Sequence, residues 1–377
     1  MKISILKENL KQGLNIVERI TGRNLTLPVL NNVLLTTDKK NFLRLSTTDL
    51  EIGINWWGLV KIEKQGGISV PAKLLSDFVN LLPEEKISLE VENKTLFIQC
   101  EKYKTKIKGQ DIEEFPIIPK IENKEFIEID GNRFCQGLIQ VVEIISPSQV
   151  RPEISGVFLS FQKDGIRIVG TDSFRLAEKT LPFESKIEKE YSVIVPQKTI
   201  RELINILGAN QAKKKIKIFF SPTQVLFESS MEELSHPQVQ VVSRLIEGEY
   251  PNYQEIIPKE YETQIILDKK EFLNQIKTAG LFTGRINEVK FRIDPNDGKI
   301  EIFTQTPEIG ENRSYLLGKA EGKPIEVSFN HKFISDGLSN IQSSEVIFGL
   351  NKESGPAVLK PVGDESYIYV VMPIKTD

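Results

Sequence analysis

The feature that most constrains this chain is a threefold internal repeat. Three segments open alike: ISILKENLKQGLNIV from Ile3, IEIDGNRFCQGLIQVV from Ile127 and IILDKKEFLNQIKTA from Ile265. Each reads as a short β-branched run followed by a helix whose apolar residues recur at i, i+4 and i+7, the spacing of one buried stripe. The stripe is Leu10, Leu14 and Val17 in the first copy, Phe134, Leu138 and Ile139 in the second, and Phe272 and Ile276 in the third. Leu10 and Phe134 lie 124 residues apart and Phe134 and Phe272 lie 138 apart. A period of that size has to be recognised before elements are assigned, because it makes one structural unit recur.

The rest of each copy repeats as well. Alternating strands follow at LNNVLLTT, ISGVFLSF and INEVKFRI, with partner strands FLRLSTTDLEI, GIRIVGTDSFRLA and KIEIFTQTPEI. A second helix comes next, VPAKLLSDFVNLL, VPQKTIRELINIL and FNHKFISDGLSNI, in which Lys73, Lys198 and Lys332 align, as do Asp77, Glu202 and Asp336. Further strands such as KISLEVENKTLFIQC and KIKIFFSPTQVLFES close the unit. Strands alternating polar and apolar point to antiparallel sheet with one face buried, here against two helices, so the predicted class is α+β. Pro-containing, extended segments near 113–124 and 248–260 read as connectors. The expected modules are therefore 1–124, 125–258 and 259–377. A single large sheet protein is the alternative, and the recurrence of both helices in each copy counts against it.

Composition narrows the function. Hydrophobic residues are 40% and charged residues 27% of 377, enough apolar material for sizeable cores. No apolar run reaches the roughly 18 residues of a membrane span, and MKISILKENLKQG lacks a secretory h-region. Only Cys100 and Cys135 are present, too few for a disulfide framework, so a reducing, cytoplasmic compartment is expected. The net charge of -3 speaks against a protein coated with positive charge. It does not exclude a basic stripe. The six helical segments carry a net +4, which leaves -7 for the remainder. Lys11, Gln12, Asn15 and Arg19 lie opposite the first apolar stripe, and Lys198, Arg201 and Asn205 share a face of a later helix. Sparse contacts of this kind suit phosphates without base readout, although each helix read singly is simply a solvated face.

Catalytic chemistry is missing from the motifs. His236 and His331 stand without a second metal-ligand type at useful spacing, and no HExxH, CxxC, Walker or GxGxxG pattern occurs. Asp49 in STTDLE and Asp172 in GTDSFR are the best carboxylate pair for a metal-dependent nuclease, but the third copy has Gln305-Thr306-Pro307 there. A turn role, with each carboxylate accepting backbone N–H groups, is the stronger expectation. Neither a cofactor nor a metal is expected. The C-terminal SYIYVVMPIKTD reads as a strand through Val371, while Met372-Pro373-Ile374 extends beyond ladder pairing and could line a groove.

Three tandem α+β units, polar-faced helix pairs and no catalytic set resemble the bacterial DNA sliding clamp family, the beta subunits of DNA polymerase III. The resemblance spans the whole chain and rests on TLPVLNNVLL (26–35), RPEISGVFLSF (151–161), GTDSFRLA (170–177), EGEYPNYQEIIP (247–258) and YVVMPIK (369–375). It implies a non-enzymatic processivity factor for DNA replication. It further implies a head-to-tail homodimer closing into a ring, helices inside, around duplex DNA. The replicative polymerase alpha subunit, the clamp loader and other proteins would dock by short apolar peptides, and no membrane is involved. The family's peptide cleft maps here to Ile154, Thr171, Ser173, Phe174, Arg175, Leu176, Pro251, Ile256, Ile286, Val370, Met372, Pro373, Ile374 and Lys375. Arg175 is expected to orient a polar group or terminus of the peptide. DNA contacts carried over are Arg23, Asn24 and Gln149, beside Lys11, Arg19, Lys198 and Arg201 from the helix faces. The dimer edge maps to Thr105 and Ile107 with Leu281 and Phe282. Phe174 stands where many members carry His, and Glu255 where a basic residue is common.

Overall fold

A computed structural model describes residues 1–22, 26–38, 40–121, 125–146, 150–183, 189–208 and 215–375. Six α-helices occur among them: α1 (Lys7–Val17), α2 (Ala72–Leu81), α3 (Gly131–Val142), α4 (Gln197–Gly208), α5 (Lys269–Gly280) and α6 (His331–Asn340). These are the repeated pairs that the periodicity predicts. Their apolar stripes are fully buried at Leu10, Leu14, Val17, Phe134, Leu138, Phe272 and Ile276. Ile139, grouped with that stripe from the sequence, is instead 46% exposed, because it lies one residue, and so about 100°, off the Phe134–Leu138 line. At the start of α5 the Asp268 carboxylate accepts from Glu271 N at 2.7 Å, and at α6 Asn330 accepts from Lys332 N at 3.0 Å, each satisfying a donor the first helical turn leaves open.

The remaining described chain is largely antiparallel sheet. A five-stranded sheet runs in the order Lys61–Lys64, Lys2–Leu6, Lys86–Glu92, Thr95–Cys100, Tyr103–Lys108. A four-stranded sheet runs Gly310–Leu317, Lys299–Thr306, Glu288–Asp294, Ile325–Asn330. The two larger sheets are not confined to single repeats. In the eight-stranded sheet, Ile52–Leu59 of the first repeat pairs with Pro237–Arg244 of the second, Ile54 opposite Val241. In the nine-stranded sheet, Arg175–Pro182 of the second repeat pairs with Tyr367–Val371 of the third, Ala177 opposite Tyr369. An edge strand carries a row of open N–H and C=O groups, and pairing across the joint satisfies them. The chain consequently gathers into two compact units, one of residues 1–135 with 198–245, the other of 136–197 with 246–377. Each unit is organised around one joint-spanning sheet, so compactness follows the joints while the repeats follow the sequence.

Helix α1 packs on the strands Phe42–Thr48 and Ile52–Leu59, and α5 on Lys299–Thr306 and Gly310–Leu317. Under α1, the fully buried Trp56 ring lies between two glycines: a Cβ at Gly13 would come within 2.5 Å of it and one at Gly58 within 2.1 Å. Neither neighbour can yield without displacing a large aromatic in a close-packed interior. Gly13→Ala should therefore destabilise the chain by roughly 1–3 kcal/mol, the range for overpacked cores. A thermal melt at wild-type temperature would contradict this packing.

Candidate functional site

The repeated Thr-Asp sequences form the same turn twice. Asp49 Oδ1 accepts from Glu51 N at 3.0 Å and Ile52 N at 2.7 Å; Asp172 Oδ1 accepts from Phe174 N and Arg175 N, both at 3.0 Å. The hydroxyls of Thr48 and Thr171 donate to Ile52 O at 2.8 Å and Arg175 O at 2.7 Å. Leu50 and Ser173 hold positive φ of 76° and 78° at equivalent places, a conformation that costs a residue bearing a Cβ and needs such hydrogen bonds to hold it. Both carboxylates are thus committed to the backbone, the turn role expected from their spacing. Among the described residues no cluster of three His, Cys, Asp or Glu side chains is placed to hold a metal ion.

The second turn carries Arg175. Its Nε meets Asp172 Oδ2 at 2.9 Å, its Nη1 meets Asp336 Oδ2 on α6, and its guanidinium lies 4.5 Å from the centre of the Phe333 ring. The side chain is only 11% exposed. Two carboxylates and an aromatic face use the directional donors of the fork, so Arg175 ties the turn to α6. Phe333 also stacks on Phe174 at 6.5 Å, and its carbonyl accepts from the Tyr369 hydroxyl at 2.7 Å.

The residues mapped to the cleft by resemblance divide into buried and exposed ones. Ile154, Leu176 and Val370 share one buried cluster with Val169, Tyr250 and Tyr253, and Thr171 is buried beside them in sequence. Phe158 stacks on Tyr250 at 4.6 Å, and the Tyr253 hydroxyl donates to Glu178. Burial pushes both tyrosine hydroxyls well above their ordinary titration range, with Glu178 adding to the effect at Tyr253. Phe174 (62% exposed), Ile286 (61%), Ile256 (47%) and Met372 (37%) offer open apolar surface. Ser173 and Lys375 are exposed, and Pro251, Pro373 and Ile374 half-buried. The tail does not hang free: Met372 N donates to Phe174 O and Ile374 N to Ser328 O, both at 2.8 Å. Sequence reasoning missed the aromatic support of Phe158, Tyr250 and Tyr253 and the anchoring role of Phe333. The aligned acids Asp77, Glu202 and Asp336 were the available signal for the Arg175 tie.

Of the candidate DNA contacts, Lys11 is half-buried on α1, while Arg19, Lys198 and Arg201 keep their charged ends toward solvent. Arg19 Nε meets Glu202 Oε2 at 2.7 Å and Lys198 pairs with Asp49. Each cation is partly exposed while its carboxylate partner is only 18% exposed. Arg23, Asn24 and Gln149 lie outside the described residues. At the candidate dimer edge, Ile107 is buried and Thr105 half-buried on the edge strand Tyr103–Lys108, while Leu281 stands 73% exposed at the end of α5 and Phe282 is half-buried.

Family models for three parts of one subunit match the chain end to end. The N-terminal domain of the DNA polymerase III beta subunit matches residues 1–119, its central domain 128–252 and its C-terminal domain 254–375. The chain belongs to the DNA polymerase III beta-subunit family. Its function is that of a DNA clamp and processivity factor for DNA polymerase III, a non-catalytic role. The beta sliding clamp of Bacillus subtilis is 29% identical over 388 residues, covering all of both chains. A crystal structure of the Bacillus subtilis clamp superposes with a TM-score of 0.93 at 28% identity over the full length of each chain. The Pseudomonas aeruginosa clamp bound to griselimycin gives 0.93 at 23% identity, also over both full chains, and speaks to the fold alone.

Proposed function

We propose that two copies of this chain join head to tail into a closed ring of six modules around duplex DNA, and that polymerase is tethered through the apolar cleft at the Arg175 turn. The working modules are 1–124, 125–258 and 259–377. The observation that carries the reading is the strand pairing at the two internal joints. Each joint pairs the strand after the Thr-Asp turn of one repeat, Ile52–Leu59 or Arg175–Pro182, with the last strand of the next, Pro237–Arg244 or Tyr367–Val371. The third repeat's counterpart of the first strand type is Gly310–Leu317, and the first repeat's last strand is Tyr103–Lys108; each is the outer edge of its sheet. The same pairing between two copies uses both open edges and closes the assembly, as a heterologous contact does when its rotation completes a circle. Their net charges are opposite: Lys102, Lys104, Lys106 and Lys108 outweigh Glu101 on and beside one edge, and Glu308 and Glu311 outweigh Arg313 on the other.

Inside such a ring the helix faces with Lys11, Arg19, Lys198 and Arg201, and the loops with Arg23, Asn24 and Gln149, meet the phosphates. Retention is topological, so weak contacts that carry no sequence information suffice and let the ring slide. In the cleft, Leu176 and Val370 form the floor, Met372 adapts its shape to the occupant, and Phe174, Ile256, Ile286 and Ile374 form the rim for an extended apolar peptide. The polymerase alpha subunit, the clamp loader and other replication and repair proteins are the occupants, and the work is cytoplasmic. The test is loading on nicked circular DNA with a clamp loader. The chain should stay bound until the circle is linearised and then run off within minutes; equal retention on circular and linear DNA would overturn the ring.

A further inference from the structure

The two connectors of the chain differ in one tie. Residues 117–120 and 256–259 both read Ile-Ile-Pro-Lys, so Ile117 corresponds to Ile256, Ile118 to Ile257 and Glu114 to Tyr253. The strands beneath them correspond through the Thr-Asp turns, which set Gly53 against Leu176 and Asn55 against Glu178. The backbone holds both joints alike: Arg244 N donates to Glu51 O at 2.9 Å where Met372 N donates to Phe174 O at 2.8 Å. The side chains do not. In the first joint Ile118 lies directly on the strand, within 2.6 Å of where a Cβ at Gly53 would stand. Asn55 accepts from the Ser46 hydroxyl at 2.6 Å, and Glu114 lies 3.7 Å from Lys94. Neither draws the connector down beyond Ile118, and Ile117 stands 91% exposed.

In the second joint the connector is held from the strand. Leu176 and Glu178 are two residues apart on Arg175–Pro182 and so share a face of the sheet. Glu178 accepts from the Tyr253 hydroxyl, and the Tyr253 ring is buried in the cluster that contains Leu176, edge-on to Tyr250 at 6.2 Å and to Phe158 at 6.4 Å. A hydroxyl bonded to a carboxylate is among the stronger hydrogen bonds. The turn around Tyr253 closes on itself: Tyr253 N donates to Pro251 O at 2.7 Å, and Asn252 Nδ2 to Glu255 Oε1 at 2.6 Å. A turn closed in this way follows its anchored tyrosine. Ile256, the next residue, is 47% exposed against the 91% of its counterpart Ile117.

We infer that Glu178 is a positioning residue for peptide binding: through the Tyr253 hydroxyl it fixes the turn at 251–257 and with it the place of Ile256 on the cleft rim. Glu178 acts through Tyr253 and not by contact with the peptide. The inference rests on the cleft reading and adds to it the residue that sets one wall of the cleft.

Fluorescence polarisation of the full chain with a peptide copied from the tail of the polymerase alpha subunit tests it. Glu178→Ala and Tyr253→Phe should each weaken binding about tenfold, part of what a hydrogen bond to a carboxylate contributes. The double variant should be no weaker than either single one, since both remove the same tie. Glu178→Gln keeps an acceptor oxygen for the hydroxyl and should stay within about threefold of wild type. Ile256→Ala should cost less in the Glu178→Ala background than in the wild type, because the rim is already displaced. A Glu178→Ala chain that melts at lower temperature but binds the peptide as the wild type does makes the tie purely structural and overturns the inference. Additive losses in the double variant overturn it as well. A wild-type chain that does not bind the peptide at any concentration overturns the cleft reading itself.

Discussion

Deletion of residues 372–377 lowers the affinity for a fluorescent peptide copied from the tail of the polymerase alpha subunit by a factor of about a hundred or more. The pairing of Tyr367–Val371 with its neighbours lies upstream of the cut and keeps the sheet intact. What is lost is the apolar surface of Met372 and Ile374 and the two backbone hydrogen bonds that pin the tail at Phe174 and Ser328. Burying a side chain of that size contributes roughly 1.5–3 kcal/mol, and each 1.4 kcal/mol is tenfold in affinity. Fluorescence polarisation reads the loss, and sedimentation should still find the dimer. An unchanged peptide affinity would remove the tail from the binding site.

Arg175→Ala is the second large effect. The guanidinium bridges Asp172, whose side chain is 9% exposed, to Asp336 on α6, and covers Phe333. Removing it leaves the Asp172 carboxylate buried without its countercharge, which typically costs about 3–5 kcal/mol. It also frees the turn on which Phe174 and Leu176 stand, so peptide affinity should fall together with the urea midpoint. Arg175→Lys should recover only part of either, because an ammonium cannot serve two carboxylates and an aromatic face with one planar fork. A full rescue by lysine would mean that charge alone matters there.

Much of the architecture is legible in the residues. The stripes Leu10–Leu14–Val17 and Phe272–Ile276 place the start of α1 and both ends of α5 within a residue or two, while α1 stops at Val17, short of the 7–23 read from the sequence, because a 3.6-residue period with one buried face is a local property. The Asp49 and Asp172 turns were legible for the same reason: a short side chain hydrogen-bonds its own neighbourhood. The resemblance to the clamps placed the candidate cleft around the Asp172 turn, but not the chemistry of Arg175. Which carboxylate meets a guanidinium across 161 residues depends on where one helix and a sheet bring it. Ile139 shows the limit within one element, where a single residue off the stripe changes core into surface.

By itself, the sequence determined that this chain is one α+β module written three times, with polar second faces on its helices and no catalytic set. Only the tertiary structure decided that the large sheets run across the joints, that Arg175 is held by α6, and that two strands of matching type remain open at the ends. The physical reason is common to all three. Periodicity and turn chemistry act between residues a few positions apart, whereas the hydrogen bonds of a sheet edge and the partner of a buried charge are settled by whichever distant segment arrives to satisfy them.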